Sequence, residues 1–341
     1  MTNLQDNNTF NSFLMEYKNS SGLAALGITA IPAIFPSKSE ANFLTMPKSL
    51  NPYLTETAAE RLNPTLLSPW AKSIIICAVP FAKLLPTVPE FFKQAPKNGF
   101  GGRIAGYAVV QDYHFEALKI MNNLVEELQN FLGRNFQFEL FADTKPISEK
   151  NFALLCGIGL SGRNSCVLIP EYGSGCFLCG ILCSEKLPEI KYQLDNSFCN
   201  YCNRCVRSCP NNVLENKNFR NCISYLSMEK RGFLKKSERE MLHNNIFGCD
   251  RCTINCPNTR LPKSYDVDLE WLLFESGGKL KKIIKQTALQ YAGITTLRRN
   301  ALAILENTQK TEAYELIKNF YGTTQSELLK KQAKDILTTQ S

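Results

Sequence analysis

Eight cysteines of this chain fall into two interlocking runs, Cys199-x2-Cys202-x2-Cys205-x3-Cys209-Pro and Cys249-x2-Cys252-x3-Cys256-Pro, with Cys222 between them. The first run has the bacterial ferredoxin spacing, in which three closely spaced cysteines hold one four-iron cluster and the fourth reaches across to a second. The second run, read the same way, gives one quartet of Cys199, Cys202, Cys205 and Cys256. The other is Cys209, Cys222, Cys249 and Cys252. Paired C-x2-C also builds zinc sites, but a four-coordinate zinc has no use for the third cysteine of C-x2-C-x2-C. Two [4Fe-4S] clusters are therefore expected, and with them a chain that moves electrons.

Composition agrees. A length of 341 residues implies two or three domains, and 44% apolar content is ordinary for a globular chain. The first residues carry neither a basic nor an apolar leader region, so no secretory signal is expected. The apolar stretch from Ser73 to Leu85 is interrupted by Pro80 and Lys83 and is too short to span a bilayer. Fourteen cysteines in such a chain point to reduced thiols and metal ligation in a cytoplasmic setting, with no membrane partner.

The net charge of +8 is concentrated. Between Cys199 and Lys263 there are twelve Lys or Arg against five Asp or Glu, including Lys230-Arg231, Lys235-Lys236-x2-Arg239, Arg204, Arg207 and Arg251. Two readings stay open: cations that offset clustered thiolates, or a basic face for a polyanion such as tRNA.

The pattern predicts an α+β multidomain chain in three segments. Residues 1–190 read as an α/β domain. Within it Ser73–Pro80 is a buried strand, and Phe136–Ala142 alternates as a strand. Tyr113–Leu132 is an amphipathic helix burying Phe115, Leu118, Met121, Leu124 and Leu128. Residues 191–265 form a loop-rich, ferredoxin-like domain. Residues 266–341 read as short amphipathic helices in series, resembling helical repeats, introduced by the basic stretch Lys279-x-Lys281-Lys282-x2-Lys285.

Several local signals have competing readings. Gly157-x-Gly159-x2-Gly162 matches a dinucleotide fingerprint literally, but the next stretch, Arg163–Ile169, reads as a strand and not the required helix. Cys176-x2-Cys179-x3-Cys183 suggests part of a third cluster, against the alternative of small core residues. Of the two histidines, His243 reads as a surface residue and His114 opens a helix that Asp112 can cap. Asp143-Thr-Lys-Pro146 closes a strand ahead of the glycine loop. It reads either as a turn or as an acid placed where α/β proteins put their chemistry.

Over nearly its whole length the chain resembles the epoxyqueuosine reductase family. The residues that carry this are Arg61-x-Asn-Pro64, Ala71-Lys-Ser73, Asp112-Tyr-His114, Asp143-Thr-x-Pro146, Gly157-x-Gly159-x2-Gly162-x-Asn164 and Glu171-Tyr-Gly-Ser174. With them come the eight cysteines, Cys222-Ile-Ser-Tyr-Leu-Ser227, Ile246-Phe-Gly-Cys-Asp250 and Leu297-Arg-Arg-Asn-Ala-Leu302. The resemblance implies base-off cobalamin in the N-terminal domain, two [4Fe-4S] clusters, a HEAT-like tail, and an external electron donor such as flavodoxin or ferredoxin. It implies a monomer acting on the anticodon stem-loop of tRNA that carries epoxyqueuosine at the wobble base. By the same carry-over Asp143 is the proton donor and a cofactor contact. Arg61, Cys249 and Asp250 contact cobalamin, and Ser224, Tyr225, Leu226 and Ser227 contact RNA. The chain departs from the family with Leu160 and Arg163 in place of tryptophan and lysine, and with Asn258 in place of a tryptophan. A corrinoid activase, or a reductase of a non-RNA substrate, is the alternative reading.

Overall fold

The computed structural model describes residues 7–31, 46, 49–52, 61–84, 96–194, 198–261 and 263–339. They fall into two compact units, neither contiguous in sequence. The first comprises residues 1–84, 113–207 and 253–260, and the second 85–112, 208–252 and 261–341. Residues 191–265 thus contribute to both.

The first unit is built on a four-stranded sheet in the order Ala25–Ala30, Ser73–Pro80, Cys176–Cys183, Phe138–Phe141. Every pairing in it is antiparallel, so this unit is α+β, not the α/β fold expected from the strand and helix alternation. The strand at Ser73–Pro80 appears with the expected bounds, and both its faces are covered. Ile75, Cys77 and Val79 face helices Asn7–Ser21 and Tyr113–Leu132, while Ile74, Ile76 and Ala78 face helix Glu149–Leu155. A strand buried on both faces needs an apolar residue at every position, which is why its sequence does not alternate.

Helix Tyr113–Leu132 also has the expected bounds, but its phase differs. The buried stripe is Ala117, Ile120, Met121, Leu124, Val125 and Leu128, while Phe115 and Leu118 are exposed. At 3.6 residues per turn Phe115 lies roughly 150° round from that stripe, beyond what a single sheet face can cover. Cys176, Cys179 and Cys183 belong to the sheet strand Cys176–Cys183, with Cys179 and Cys183 closed off in the helix-covered core. Cys179 lies directly across from Cys77. Packing accounts for these thiols, and the third-cluster reading is not needed.

In the second unit, strand Gly101–Ile104 pairs parallel to Asn245–Phe247 and antiparallel to Tyr265–Asp268. Its apolar core extends into helices Leu269–Phe274, Leu289–Asn307, Thr311–Thr323 and Glu327–Thr338. Two side chains of helix Leu289–Asn307 are fully buried in polar roles. Arg299 donates to the carbonyls of Leu226 (2.8 Å), Lys230 (2.5 Å) and Gly232 (3.0 Å). Asn300 donates to those of Ser227 (2.8 Å) and Ile246 (2.7 Å). These bonds hold a π-helix at Tyr225–Glu229, a form frequent at functional sites. The conspicuous Arg-Arg-Asn of the tail therefore fixes the segment after Cys222.

No helix among the described residues is long and apolar enough to cross a membrane.

Candidate cluster-binding and proton-transfer sites

The two cysteine quartets divide between the two units. Cys199, Cys202, Cys205 and Cys256 all belong to the first, and Cys209, Cys222, Cys249 and Cys252 all belong to the second. In the first unit the whole quartet lines one small cavity, together with Gly162, Asn164, Phe198 and Asn258. No carboxylate or imidazole lines it, so the donor set is thiolate alone, as a [4Fe-4S] cluster requires. Among the described residues no three His, Cys, Asp or Glu side chains close on a single metal ion. The loop 171–174 braces this quartet. Gly173, at φ +59°, leaves no room for a Cβ, which would fall 2.1 Å from the carbonyl oxygen of Asn258. Ser174 and Thr259 share a 3.0 Å hydroxyl hydrogen bond.

Gly157 has a similar constraint, since at φ +66° its Cβ would lie 1.9 Å from the carbonyl oxygen of Tyr192. The strand pair Leu160–Ser161 and Val167–Leu168 comes next, which disposes of the dinucleotide fingerprint. Leu160 opens the first of these strands, and Arg163 lies in the turn between them and is exposed. The Nδ2 of Asn258 donates to the Phe198 carbonyl (2.5 Å) and so ties the two arms of the quartet together.

A second cluster of functional groups gathers at one end of the sheet. The strand register sets Phe141 opposite Gly180 and Pro80 opposite Cys176. The chain leaving Phe141 thus reaches Asp143 near the start of strand Cys176–Cys183. Asp143 is exposed, with φ +55°, a left-handed conformation uncommon outside glycine but tolerated by Asp. Its backbone N–H donates to Oε1 of Glu149 at 2.7 Å. Glu149 is half-buried by surface exposure, and loss of solvent pushes its pKa up to about 8. The Asp143 carboxylate acts in the same direction. The Asp143 N–H bond and the positive charge of Arg61 and His114 oppose it. Beside this pair the Tyr113 ring stacks on Phe177 at 3.8 Å and packs against His114 at 4.1 Å, and Phe81 meets Phe177 edge-on at 4.2 Å.

Arg61 is half-buried, and its carbonyl accepts from the Ser148 N–H (2.9 Å), next to Glu149. Arg61, His114, Asp143 and Glu149 are therefore brought together, and the sequence singled out all but Glu149. An acid at the first position of a short helix carries no signal beyond ordinary helix-start charge preference, and only folding reveals its partner six residues back.

The remaining residues lie in the second unit. Asp250 is buried, and its Oδ2 accepts from the Gly106 N–H at 2.8 Å, while Cys249 is half-buried. Ser224 and Tyr225 are half-buried, whereas Leu226 and Ser227 are closed from solvent. The Ser227 hydroxyl accepts from the Gly248 N–H (3.0 Å), so its role here is to seat the loop before Cys249. His243 is also not simply a surface residue: its Nε2 bonds Oδ1 of Asn211 at 2.8 Å. The basic stretch is smaller than its count suggests. Arg239 is fully buried between Glu306 and Asp335, Lys230 pairs with Glu238, and Arg231 donates to the carbonyls of Tyr291 and Ala292. Lys235, Lys236, Lys281, Lys282 and Lys285 remain exposed.

Comparison with known proteins places this geometry. Residues 61–144 match the family model "Epoxyqueuosine reductase QueG, DUF1730", and residues 198–259 match "4Fe-4S double cluster binding domain". The epoxyqueuosine reductase of Listeria monocytogenes is 30% identical over 283 residues, covering 76% of this chain and 70% of that protein. The chain belongs to the epoxyqueuosine reductase family. The Bacillus subtilis epoxyqueuosine reductase is 26% identical over 318 residues, covering 88% of this chain and 80% of the relative. Among solved structures, the family member from Streptococcus thermophilus superposes with a TM-score of 0.79 at 23% identity, covering 96% of this chain and 89% of that one. An epoxyqueuosine reductase bound to an epoxyqueuosine-modified tRNA-Tyr stem loop superposes with a TM-score of 0.76 at 21% identity, covering 97% and 98%. These likenesses agree on an α+β fold with a double-cluster domain.

Proposed function

We propose that this chain reduces the epoxide of epoxyqueuosine, at the wobble position of tRNA, to the cyclopentene of queuosine. Two electrons and two protons enter, the epoxide oxygen leaves as water, and a carbon–carbon double bond forms. The observation that carries this reading is the acid group at the sheet end, Asp143 with Glu149, in a chain that also supplies two complete thiolate quartets. A redox carrier alone needs the cysteines and has no use for the acids.

Asp143 is the proton donor. As the epoxide C–O bond breaks, its oxygen gains negative charge, and a carboxylic acid within hydrogen-bond reach lowers the barrier by delivering a proton. Cobalamin fits this place in one respect: the half-buried Tyr113–Phe177 stack gives a broad conjugated ring a flat apolar bed beside the acids. Arg61 and Asp143 are the residues of this unit that would hold it. When bound, it supplies the reducing equivalents at the epoxide carbons. The two cysteine quartets would each hold a [4Fe-4S] cluster, which would supply the path for electrons from an external carrier such as flavodoxin or ferredoxin. Ser224, Tyr225 and the π-helix they open are the RNA-facing segment, with Leu226 and Ser227 as its inner side, and the exposed lysines offer phosphate contacts. The chain then comprises a cobalamin-binding segment, a ferredoxin-like segment and a HEAT-like stack of C-terminal helices, and the protein works in the cytoplasm as a monomer. The test is nucleoside analysis of tRNA from a strain lacking this gene. Epoxyqueuosine should accumulate there, and an unchanged queuosine content would refute the reading.

A further inference from the structure

We infer that the face of the first unit around Cys199, Cys202, Cys205 and Cys256 is the docking surface for the external electron carrier, and that this carrier is a small acidic protein. The inference rests on the proposed reduction only in that such a carrier is required.

One ligand thiol is open to solvent. Of the eight cysteines in the two quartets Cys202 alone is exposed, the other seven being buried or half-buried. It sits between Tyr201 at φ +52° and Asn203 at φ +59°. Left-handed backbone is uncommon in residues other than glycine, and here it occurs on both sides of the exposed ligand. Electron transfer falls off steeply with distance, so a carrier must come close to the ligands, and Cys202 is where the chain permits it.

The surroundings are cationic with an apolar element. Arg163 lines the same cavity as the quartet. Arg204 and Arg207 bound the short helix that contains Cys205, and Arg260 lies two residues beyond Asn258, another lining residue. All four arginines are exposed. The segments that build this face, 157–174, 198–207 and 253–260, hold those four arginines against a single acid, Glu171, and no lysine. Tyr201 and Ile254, on the same segments, are 65% and 49% exposed. Arginine and tyrosine are enriched in contacts between proteins, and lysine is depleted. The stretch offered to tRNA phosphates has the opposite character, with Lys281, Lys282 and Lys285. An excess of positive charge speeds encounter with an acidic partner and orients it, while a small contact lets the partner leave quickly. The carrier gives up one electron per encounter, so two encounters match the two electrons consumed at the epoxide.

The probes are reduced flavodoxin and a reduced two-cluster ferredoxin, each mixed anaerobically with cluster-loaded protein. Oxidation of the carrier is followed by its absorbance at about 0.02 M and about 0.5 M salt. The triple variant Arg204→Glu, Arg207→Glu, Arg260→Glu should slow it about 10- to 100-fold at low salt and less than about threefold at high salt, where the field is screened. Tyr201→Ser should slow it about fivefold at both, because salt does not screen an apolar contact. Both variants should keep wild-type iron content, tRNA affinity and conversion driven by a chemical reductant. Wild-type rates in the triple variant, no oxidation of either carrier by wild-type protein, or a rate that salt leaves unchanged overturns the inference. Loss of tRNA affinity in the triple variant assigns the face to RNA and also overturns it. If the glutamate variant loses iron, the matching glutamine variant decides. Iron loss there too makes the arginines counter-charges for the thiolates and overturns the inference, whereas full iron with slowed, salt-sensitive oxidation upholds it. If wild-type protein under chemical reductant leaves epoxyqueuosine tRNA unchanged, the proposed reduction has failed, whatever the carriers do.

Discussion

Replacing Arg299 with methionine should cost about 3 kcal/mol, and the loss should fall on one half of the iron. The Arg299 guanidinium is wholly buried and serves the carbonyls of Leu226, Lys230 and Gly232. Methionine fills similar space but leaves the buried Leu226 carbonyl, the half-buried Lys230 carbonyl and Oδ1 of the buried Asn300 without their donor, at about 1–3 kcal/mol each. Against this stands relief from burying a charge. Loss of solvent and the nearby Arg231 push the Arg299 pKa down to about 10, a penalty of roughly 3 kcal/mol. The balance is a net loss of about 3 kcal/mol, near the low end of what removing one partner from a buried charged network costs. Of the affected carbonyls that of Leu226 lies in the π-helix after Cys222 and that of Lys230 at its C-cap, and Asn300, beside Arg299, holds Ile246, three residues before Cys249. The quartet of the second unit should therefore loosen first. The assay is urea titration under anaerobic conditions, with bound iron measured at each step. The variant should release about four of roughly eight irons well before the rest, at urea concentrations where wild-type protein releases none. Simultaneous loss from both quartets, or a midpoint within about 0.5 kcal/mol of wild type, would refute the reasoning.

The same geometry makes further outcomes testable. Cys202→Ser and Cys252→Ser should each lower iron to about four per chain, because each quartet is complete within its own unit; loss of all iron from either variant contradicts that partition. Asp143→Asn should retain cofactors and tRNA affinity while single-turnover conversion falls by roughly 10²–10⁴, read by nucleoside chromatography. Binding of tRNA should weaken by roughly 0.7 to 0.9 log units per phosphate contact for each decade of salt. Reversing Lys281, Lys282 and Lys285 to glutamate should flatten that slope, whereas reversing Arg163 should leave it unchanged.

Much of this was legible in the residues. The cysteine spacing proposes both quartets, because a cluster's four ligands impose spacing on the chain directly, and the first of them, Cys199, Cys202, Cys205 and Cys256, lines one cavity. The Ser73–Pro80 strand and the Tyr113–Leu132 helix appear with their expected bounds for a similar reason: a period of burial is written along one element. What escaped was set by other elements. The outward turn of Phe115 and Leu118 depends on which arc of the helix the sheet covers, and periodicity alone leaves that phase open. Cys176, Cys179 and Cys183 carry a metal-like spacing, yet the strand that holds them is central, with core on both faces. Arg239 counted as surface charge until Glu306 and Asp335, some seventy to a hundred residues away, were seen to enclose it. Glu149 had no signature, since its partner is a backbone amide.

The central claim is that electrons delivered to this chain open an epoxide on RNA. The direct measurement uses protein loaded with both clusters and cobalamin, a chemical reductant, and tRNA bearing epoxyqueuosine, with nucleoside analysis of the product by mass. The account predicts queuosine formed in proportion to enzyme, with loss of one oxygen atom and conversion by Asp143→Asn slower by roughly 10²–10⁴. Reduction of the clusters and the corrinoid with no change in the tRNA would contradict it.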